Sequence, residues 1–163
     1  LRKKVLNRNI TNQQIMDGCK LLKKNKIKFR AENMIGIPTE TWNNVKETIK
    51  LNQKVHGIYS WCSLYQPFPY TVLGEYCKKN NLFSGNIDII NEQFSEDTVL
   101  NMSEFNKRRL INLQRLFAIF AYFRIPIILI SLLVTLPNNK LFYVIRDKFK
   151  LFQYVKLFKT KIK

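Results

Sequence analysis

Residues 27–41 of the chain read IKFRAENMIGIPTET, and this stretch decides the expected fold. Its first part alternates apolar and charged residues, which predicts a half-exposed β-strand ending near Ile35. The glycine and proline that follow punctuate the strand, and Thr39 or Thr41 can cap a helix after them. The stretch therefore predicts a strand that turns directly into a helix.

The sequence on either side repeats this alternation. Thr11 and Gln14 form a capping box at the start of an amphipathic helix that reaches about Lys24. Residues 58–71 read IYSWCSLYQPFPYT, which predicts a second strand ended by prolines and followed by a short helix. Helix, strand, helix, strand and helix in this order predict an α/β fold with parallel strands and crossover helices.

The remainder of the chain is expected to be helical. Residues 85–102 form a predicted acidic linker, because Asp88, Glu92, Glu96 and Asp97 gather there. Ser103 can cap a long helix with an apolar stripe, and a proline at position 126 breaks or kinks it. We therefore expect residues 103–163 to form a basic, all-helical C-terminal extension.

Charge suggests an anionic partner without identifying it. Lys and Arg number 28 against 11 Asp and Glu, a formal net charge of +17 that is concentrated at both ends of the chain. The run of lysines in residues 20–28 is typical of a solvated helix face. A nucleic-acid-binding module remains a third alternative, but it rests only on net charge and scattered aromatic residues, without a groove-reading or stacking motif.

The cysteines and the first residue indicate a reducing compartment and a longer parent protein. Cys19, Cys62 and Cys77 are too far apart for a close-spaced metal site and odd in number, so we expect small buried hydrophobes, no metal ligands and a cytoplasmic location. The chain starts at Leu1 with charged residues after it, which predicts an interior stretch without a signal peptide.

Three segments in order carry a resemblance to a known family. They are Leu6-Asn7-Arg8 before the capping box, MIGIPTET at residues 34–41, and PFPYT at residues 67–71. They resemble the segment after the fourth barrel strand, the Ile-Gly-Leu-Pro-Gly-Glu-Thr signature closing the fifth, and the Pro-Gly-Thr signature after the sixth, in radical S-adenosylmethionine enzymes. The similarity is greatest to the group that has an upstream cobalamin-binding domain.

The resemblance implies a fold class and a division of the chain. Residues 1–84 would be the C-terminal half of a β/α (TIM-like) barrel, followed by the linker and the helical extension. Thr39 and Tyr70 stand where the family's signatures usually have glycine. We therefore expect both turns to adopt conformations that do not require a positive φ.

The resemblance also implies cofactors. In the family, a four-iron four-sulfur cluster reductively cleaves S-adenosylmethionine to start radical chemistry such as methyl transfer or rearrangement. The cluster needs a Cys-x-x-x-Cys-x-x-Cys loop, which we expect upstream of Leu1, as we do the cobalamin domain and its cobalamin. The fragment alone should be inactive, and its residues do not indicate a catalytic side chain or a substrate.

Six residues match positions that hold S-adenosylmethionine in the family. Arg8 would clamp the methionine carboxylate, and Glu32 would accept hydrogen bonds from the ribose hydroxyls. Ile35 and Gly36 would offer adenine an apolar wall and a close backbone approach, while the backbone near Tyr65 and Gln66 would read the adenine edge. Each has a plainer alternative: a surface salt bridge for Arg8, solvent exposure for Glu32 and ordinary core packing for Ile35.

The apolar and basic end of the chain supports a rival interpretation. Residues 116–136 approach the length of a membrane span, but Arg124 and Pro126 lie within them, and a central arginine opposes insertion. Alternatively the basic tail lies on anionic lipid at the inner membrane face. The plain alternative is that these helices pack against the barrel or against an upstream domain.

Overall fold

The computed structural model describes residues 1–57, 59–90, 97–102, 107–137 and 140–158. Ser103, the predicted helix cap, lies outside them, as do Glu92 and Glu96 of the predicted linker. The described elements are, in chain order, α1 (Arg2–Leu6), α2 (Asn12–Lys24), β1 (Arg30–Ile35), α3 (Trp42–Val55), β2 (Tyr59–Leu64), α4 (Val72–Lys79), a 3-10 turn (Ile87–Ile89), α5 (Lys107–Tyr122), α6 (Ile127–Leu133) and α7 (Lys140–Phe158).

The two strands pair in parallel, as predicted. Their register runs from Arg30 opposite Tyr59 to Ile35 opposite Leu64, and α3 makes the crossover that a parallel pair requires. An amide pair ties the crossover to the sheet: Asn52 on α3 donates to Asn33 Oδ1 at 2.7 Å and accepts from Asn33 Nδ2 at 3.0 Å. The chain is thus mixed helix and strand, and the barrel itself stays a prediction, because the described residues contain two strands of one sheet.

One face of the sheet is covered by helices. Ile35 on β1 and Leu64 on β2 are fully buried there, against Val45 and Ile49 of α3. Helix α5 packs on the same core through a row of buried apolar residues: Leu110, Leu113, Leu116, Phe117 and Phe120. Burial of each such side chain contributes roughly 1.5–3 kcal/mol, so α5 is the main support of this face.

The other face of the sheet is open. Arg30, Glu32 and Met34 on β1 are exposed, and Trp61 and Ser63 on β2, which lie beside them in the register, are half-buried. Alternate residues of a strand point to opposite faces, so this set shares one side of the pair. A sheet face with these exposures is available to a ligand or to further parts of a barrel.

A second, smaller core lies at the carboxyl-terminal end of the strands. Ile37 and Tyr65, which follow β1 and β2, are buried there with Cys77 of α4 and Leu100 of the predicted linker. Helix α1 packs against this cluster through its apolar side chains. The cluster therefore joins the chain's first helix to the ends of both strands.

Local signals explain most element boundaries. The capping box of Thr11 and Gln14 is confirmed at the start of α2, and Thr41 with Asn44 forms a second one at the start of α3. Pro126 precedes α6, as expected of a helix-breaking residue. Strand β1 starts later than Ile27, because Lys26 has φ 57° and the Ile27 amide donates back to Leu22 O at 2.9 Å.

Candidate functional site

The first turn, residues 37–40, reverses the chain directly after β1. Glu40 N donates to Ile37 O at 2.9 Å, Pro38 occupies the second position, and Thr39 has φ 66° at the third. Proline followed by a residue of positive φ is the pattern of a type II turn. The expectation that Thr39 avoids positive φ was wrong, because the chain forms a type II turn here, and the third residue of that turn is left-handed.

The side chain of Glu40 holds this turn together from inside. It is 1% exposed, and its Oε2 accepts hydrogen bonds from Gly36 N at 2.7 Å and Ile37 N at 3.4 Å. Burial raises the pKa of Glu40 to about 7, although the two backbone hydrogen bonds act in the opposite direction. Glu40 is therefore a buried carboxyl group that exchanges a proton near neutral pH.

Gly36 lies behind the turn and is buried. Its φ of 75° is the reason for glycine here, because a Cβ would make only ordinary contact with Leu110 Cδ1, at 3.5 Å. The amide of Gly36 already donates to Glu40. The structure thus gives Gly36 a role in the turn and places it next to α5.

The second turn, residues 68–71, repeats the pattern after β2. Pro69 precedes Tyr70, whose φ is 61°, and Thr71 Oγ1 donates to Phe68 O at 2.7 Å. The expectation that Tyr70 avoids positive φ was also wrong, for the same reason as at Thr39. Thr71 then caps α4 by accepting from Gly74 N at 3.0 Å.

Tyr65 and Gln66 lie between β2 and the second turn. Tyr65 N donates to Ile35 O at 2.9 Å, which extends the sheet by one bond, and burial raises the pKa of the Tyr65 hydroxyl to about 12. Gln66 is 2% exposed and its Nε2 donates to Asp97 O at 2.8 Å. Within the described parts of the chain, no donor reaches Gln66 Oε1, so a buried acceptor lies at the strand end.

Glu32 and Ile35 lie on opposite faces of β1. Glu32 is on the open face, with its side chain 59% exposed and paired with Arg30. Ile35 is fully buried in the core between the sheet and the helices. Of the two, only Glu32 presents its side chain to the open face.

Arg8 follows α1 and is exposed. Leu1, Val5 and Leu6 of this short segment pack against the cluster that contains Ile37 and Tyr65. Glu32 is the third residue of β1 and Ile35 its last. Four of the six predicted residues therefore lie at the carboxyl-terminal ends of the strands, namely Ile35, Gly36, Tyr65 and Gln66.

Two of the three cysteines, Cys62 and Cys77, are buried in the two cores. Burial raises the pKa of Cys77 to about 11 and that of Cys62 well above its usual range, so both stay protonated at neutral pH. Among the residues that the structure describes, no three His, Cys, Asp or Glu side chains cluster as metal ligands. The interpretation of Cys62 and Cys77 as buried hydrophobes agrees with their burial.

The C-terminal helices expose much apolar surface. Leu132 on α6 is 62% exposed, and Leu151 and Phe152 on α7 are 65% and 52% exposed. In the described parts of the chain, no helix has both the length and the apolar character needed to cross a membrane.

Sequence reasoning assigned no role to Glu40. Glu40 lies in the Pro-Thr-Glu-Thr stretch, where a glutamate is equally typical of the start of a helix. In the folded chain the carboxyl group is 1% exposed and accepts hydrogen bonds from the turn's own backbone. The backbone amides of Gly36 and Ile37, where the strand ends, need hydrogen-bond acceptors if they are buried. That requirement could have pointed to Glu40 as the acceptor.

Comparison with known proteins gives a partial match. No protein-family model matches the chain. The chain is similar to a protein from Pyrococcus horikoshii that is named as an uncharacterized methyltransferase, with 36% identity over 77 residues. The similar region is 47% of this chain and 17% of that relative, so the chain spans only a small part of the relative's length.

Proposed function

We propose that this chain is the C-terminal part of the barrel of a radical S-adenosylmethionine enzyme from the group with an upstream cobalamin-binding domain. Its strand ends would hold part of S-adenosylmethionine. The whole enzyme would carry out radical chemistry such as methyl transfer, and the relative's name is compatible with that reaction. The order of parallel strands and crossover helix supports the proposal without requiring it.

The observation that carries the proposal is the geometry of the two turns. Thr39 and Tyr70 both have left-handed φ at the positions where the family's signatures have glycine. A side chain there costs about 1–2 kcal/mol, and for β-branched threonine the conformation is a real outlier. The backbone thus has the conformation that glycine favours at both positions, although neither position holds glycine.

The described residues fit S-adenosylmethionine in part. Glu32 presents an exposed carboxylate on the open face, where it would accept hydrogen bonds from the ribose hydroxyls once Arg30 yields. Arg8 would pair with the methionine carboxylate, and the backbone near Tyr65 and Gln66 would contact the adenine edge. Ile35 and Gly36 are buried and would support the backbone at the end of β1, where S-adenosylmethionine would bind. Bound S-adenosylmethionine supplies the methyl group or the deoxyadenosyl radical.

The same residues do not fit the iron-sulfur cluster. The cluster needs three closely spaced thiolates, whereas Cys62 and Cys77 are buried thiols on different elements. We therefore place the cluster, and cobalamin with it, on chain that precedes Leu1, and we assign no step through them to the residues described here.

The reading frame upstream of Leu1 tests this proposal. We expect a Cys-x-x-x-Cys-x-x-Cys loop there, and the anaerobically purified product should contain iron and sulfide and lose both when these cysteines become alanine. A start codon without such a loop, or a product without iron, would overturn the assignment.

The outer surface of α7 favours a second candidate function, attachment to an anionic membrane surface. Its exposed Leu151 and Phe152 lie near the exposed Lys148 in the helix, and Asp147 is its sole acidic residue. Apolar residues among lysines are typical of interfacial helices. A Leu151→Gln variant should sediment less with vesicles that contain phosphatidylglycerol.

Leu21 provides a matched control for this test, because it is 62% exposed on α2 and Leu151 is 65% exposed. Leu21→Gln should leave sedimentation unchanged. Equal sedimentation with neutral phosphatidylcholine vesicles, or equal loss in both variants, would count against the membrane function.

A further inference from the structure

A cavity lies beside β2, away from the strand ends. Its volume is about 70 Å³, and it is enclosed by the first residues of β2, by α5 and by α7. A buried water needs about 10–15 Å³ of such volume, so the cavity has room for several waters or for one phosphate-sized group. Tyr59 and Trp61 form its aromatic side.

Three cations converge on this cavity. Arg115 of α5 is 2% exposed, the Arg146 side chain of α7 is 23% exposed, and Lys150 lies one helical turn beyond Arg146. The Lys150 ammonium lies over the Trp61 ring, 5.5 Å from its centroid. Helices α5 and α7 therefore place three positively charged side chains around one small space beside β2.

The ring of Tyr143 on α7 contacts both guanidinium groups. The Arg115 guanidinium is 3.5 Å from the centroid of the Tyr143 ring, and that of Arg146 is 5.2 Å from it. An Arg115 N–H also contacts the Tyr143 hydroxyl. Because both cations stack on one ring, they approach the cavity in a defined geometry.

Among the described residues, no carboxylate lines the cavity, and α5 has no acidic residue in its sequence. Glu32 lies beside Trp61 in the register of the strands, but it is paired with Arg30. Asp147 accepts from Arg146 Nε at 2.8 Å, but its side chain is 60% exposed and does not line the cavity. The three cationic side chains line one cavity and repel one another, and an anion among them would reduce that repulsion.

We propose that this cavity binds a phosphate-type oxyanion. Arg115 and Arg146 would each donate N–H groups to its oxygens, since the guanidinium fork matches phosphate geometry, and Lys150 would add a point charge. Gln114 also lines the cavity, but its Nε2 already donates to Cys62 O at 3.0 Å, so we do not count it as a donor to the oxyanion. The site shares no residue with those proposed to hold S-adenosylmethionine, although its Trp61 lies beside Glu32 in the register of the strands.

Trp61 provides a direct probe of the site. In a Trp42→Phe variant of the full chain, Trp61 is the remaining tryptophan, so its fluorescence reports on the cavity. We expect inorganic phosphate, added at constant ionic strength against chloride, to change this fluorescence saturably and to raise the melting temperature. Glycerol phosphate is the second probe. If the site accepts esterified phosphates, both probes should bind; if it accepts only free phosphate, inorganic phosphate alone should bind.

Three variants on α7 test the assignment of residues. Arg146→Gln and Lys150→Gln should each raise the dissociation constant for phosphate about tenfold or more. Lys148→Gln removes the same charge two residues from each of them, outside the lining, and should leave the constant unchanged. Far-ultraviolet circular dichroism checks that each variant is folded. Absence of a saturable response to both probes, or equal constants in all folded variants, would overturn the proposal.

Discussion

The two turns at the strand ends use the same backbone plan with different chemistry. Each has a proline followed by a left-handed residue, at Thr39 in the first turn and Tyr70 in the second. The first turn is closed by the buried carboxyl group of Glu40, whereas the second is closed by the Thr71 hydroxyl and by close packing on Gly74. The stability of the first turn should therefore depend on pH, and that of the second turn on the size of the residue at position 74.

The largest expected effect is at Gly74. A Cβ at this position would lie 1.9 Å from Phe68 O, so Gly74→Ala must displace the second turn. We expect a loss of more than about 3 kcal/mol in the free energy of unfolding. Urea denaturation measures it.

Gly18 in α2 is the matched control for this change. No atom lies within 4 Å of a Cβ placed there, so Gly18→Ala should stabilise the chain by about 0.5–1 kcal/mol. If both alanine variants had similar stability, close packing at the second turn would not be the reason for Gly74.

The next effect is the pH dependence of the first turn. The pKa of Glu40 rises from 4.5 to about 7 in the folded chain, so its contribution to stability is full at low pH and is lost as the pH rises through 7. Between pH 5 and pH 8 this loss is about 2 kcal/mol. Glu40→Gln should flatten that part of the stability profile.

Glu47 on α3 is exposed and offers the same substitution away from the turn. Glu47→Gln should keep the wild-type profile between pH 5 and pH 8. A profile that stays steep in Glu40→Gln would show that another group is responsible.

The smallest effect concerns the left-handed residues themselves. Thr39→Gly should stabilise the chain by about 1 kcal/mol, because it removes the cost of a β-branched residue at φ 66°. Thr39→Ala keeps a Cβ in the same conformation and should gain less. Thermal unfolding of both variants measures the difference, and equal gains would point to the Thr39 side chain instead of its φ.

Local sequence patterns predicted most helices and strands. The features they missed depend on the turn type and on tertiary burial. The capping box at Thr11, the parallel strand pair and the helix break at Pro126 all follow from short-range sequence signals. The positive φ of Thr39 was missed because residue identity argued against it, and proline at the second position suits a type I turn as well as a type II turn. The burial of Glu40 is a tertiary property, which no local spacing reveals.

The candidate site was predictable as a region more than as a set of side chains. Parallel strands bring their ends together, so residues near Gly36 and Gln66 had to meet. The sequence could not show which face of β1 is open, and that choice separates Glu32 from Ile35. The barrel and its cofactors remain predictions.

Calorimetric titration of S-adenosylmethionine into the complete polypeptide tests the central proposal most directly. Glu32→Gln should weaken binding about tenfold, because it removes a charged acceptor for the ribose hydroxyls, and Glu47→Gln should leave it unchanged. Equal affinity in wild type and both variants, or no binding to any of them, would contradict the placement of S-adenosylmethionine on the open face of β1.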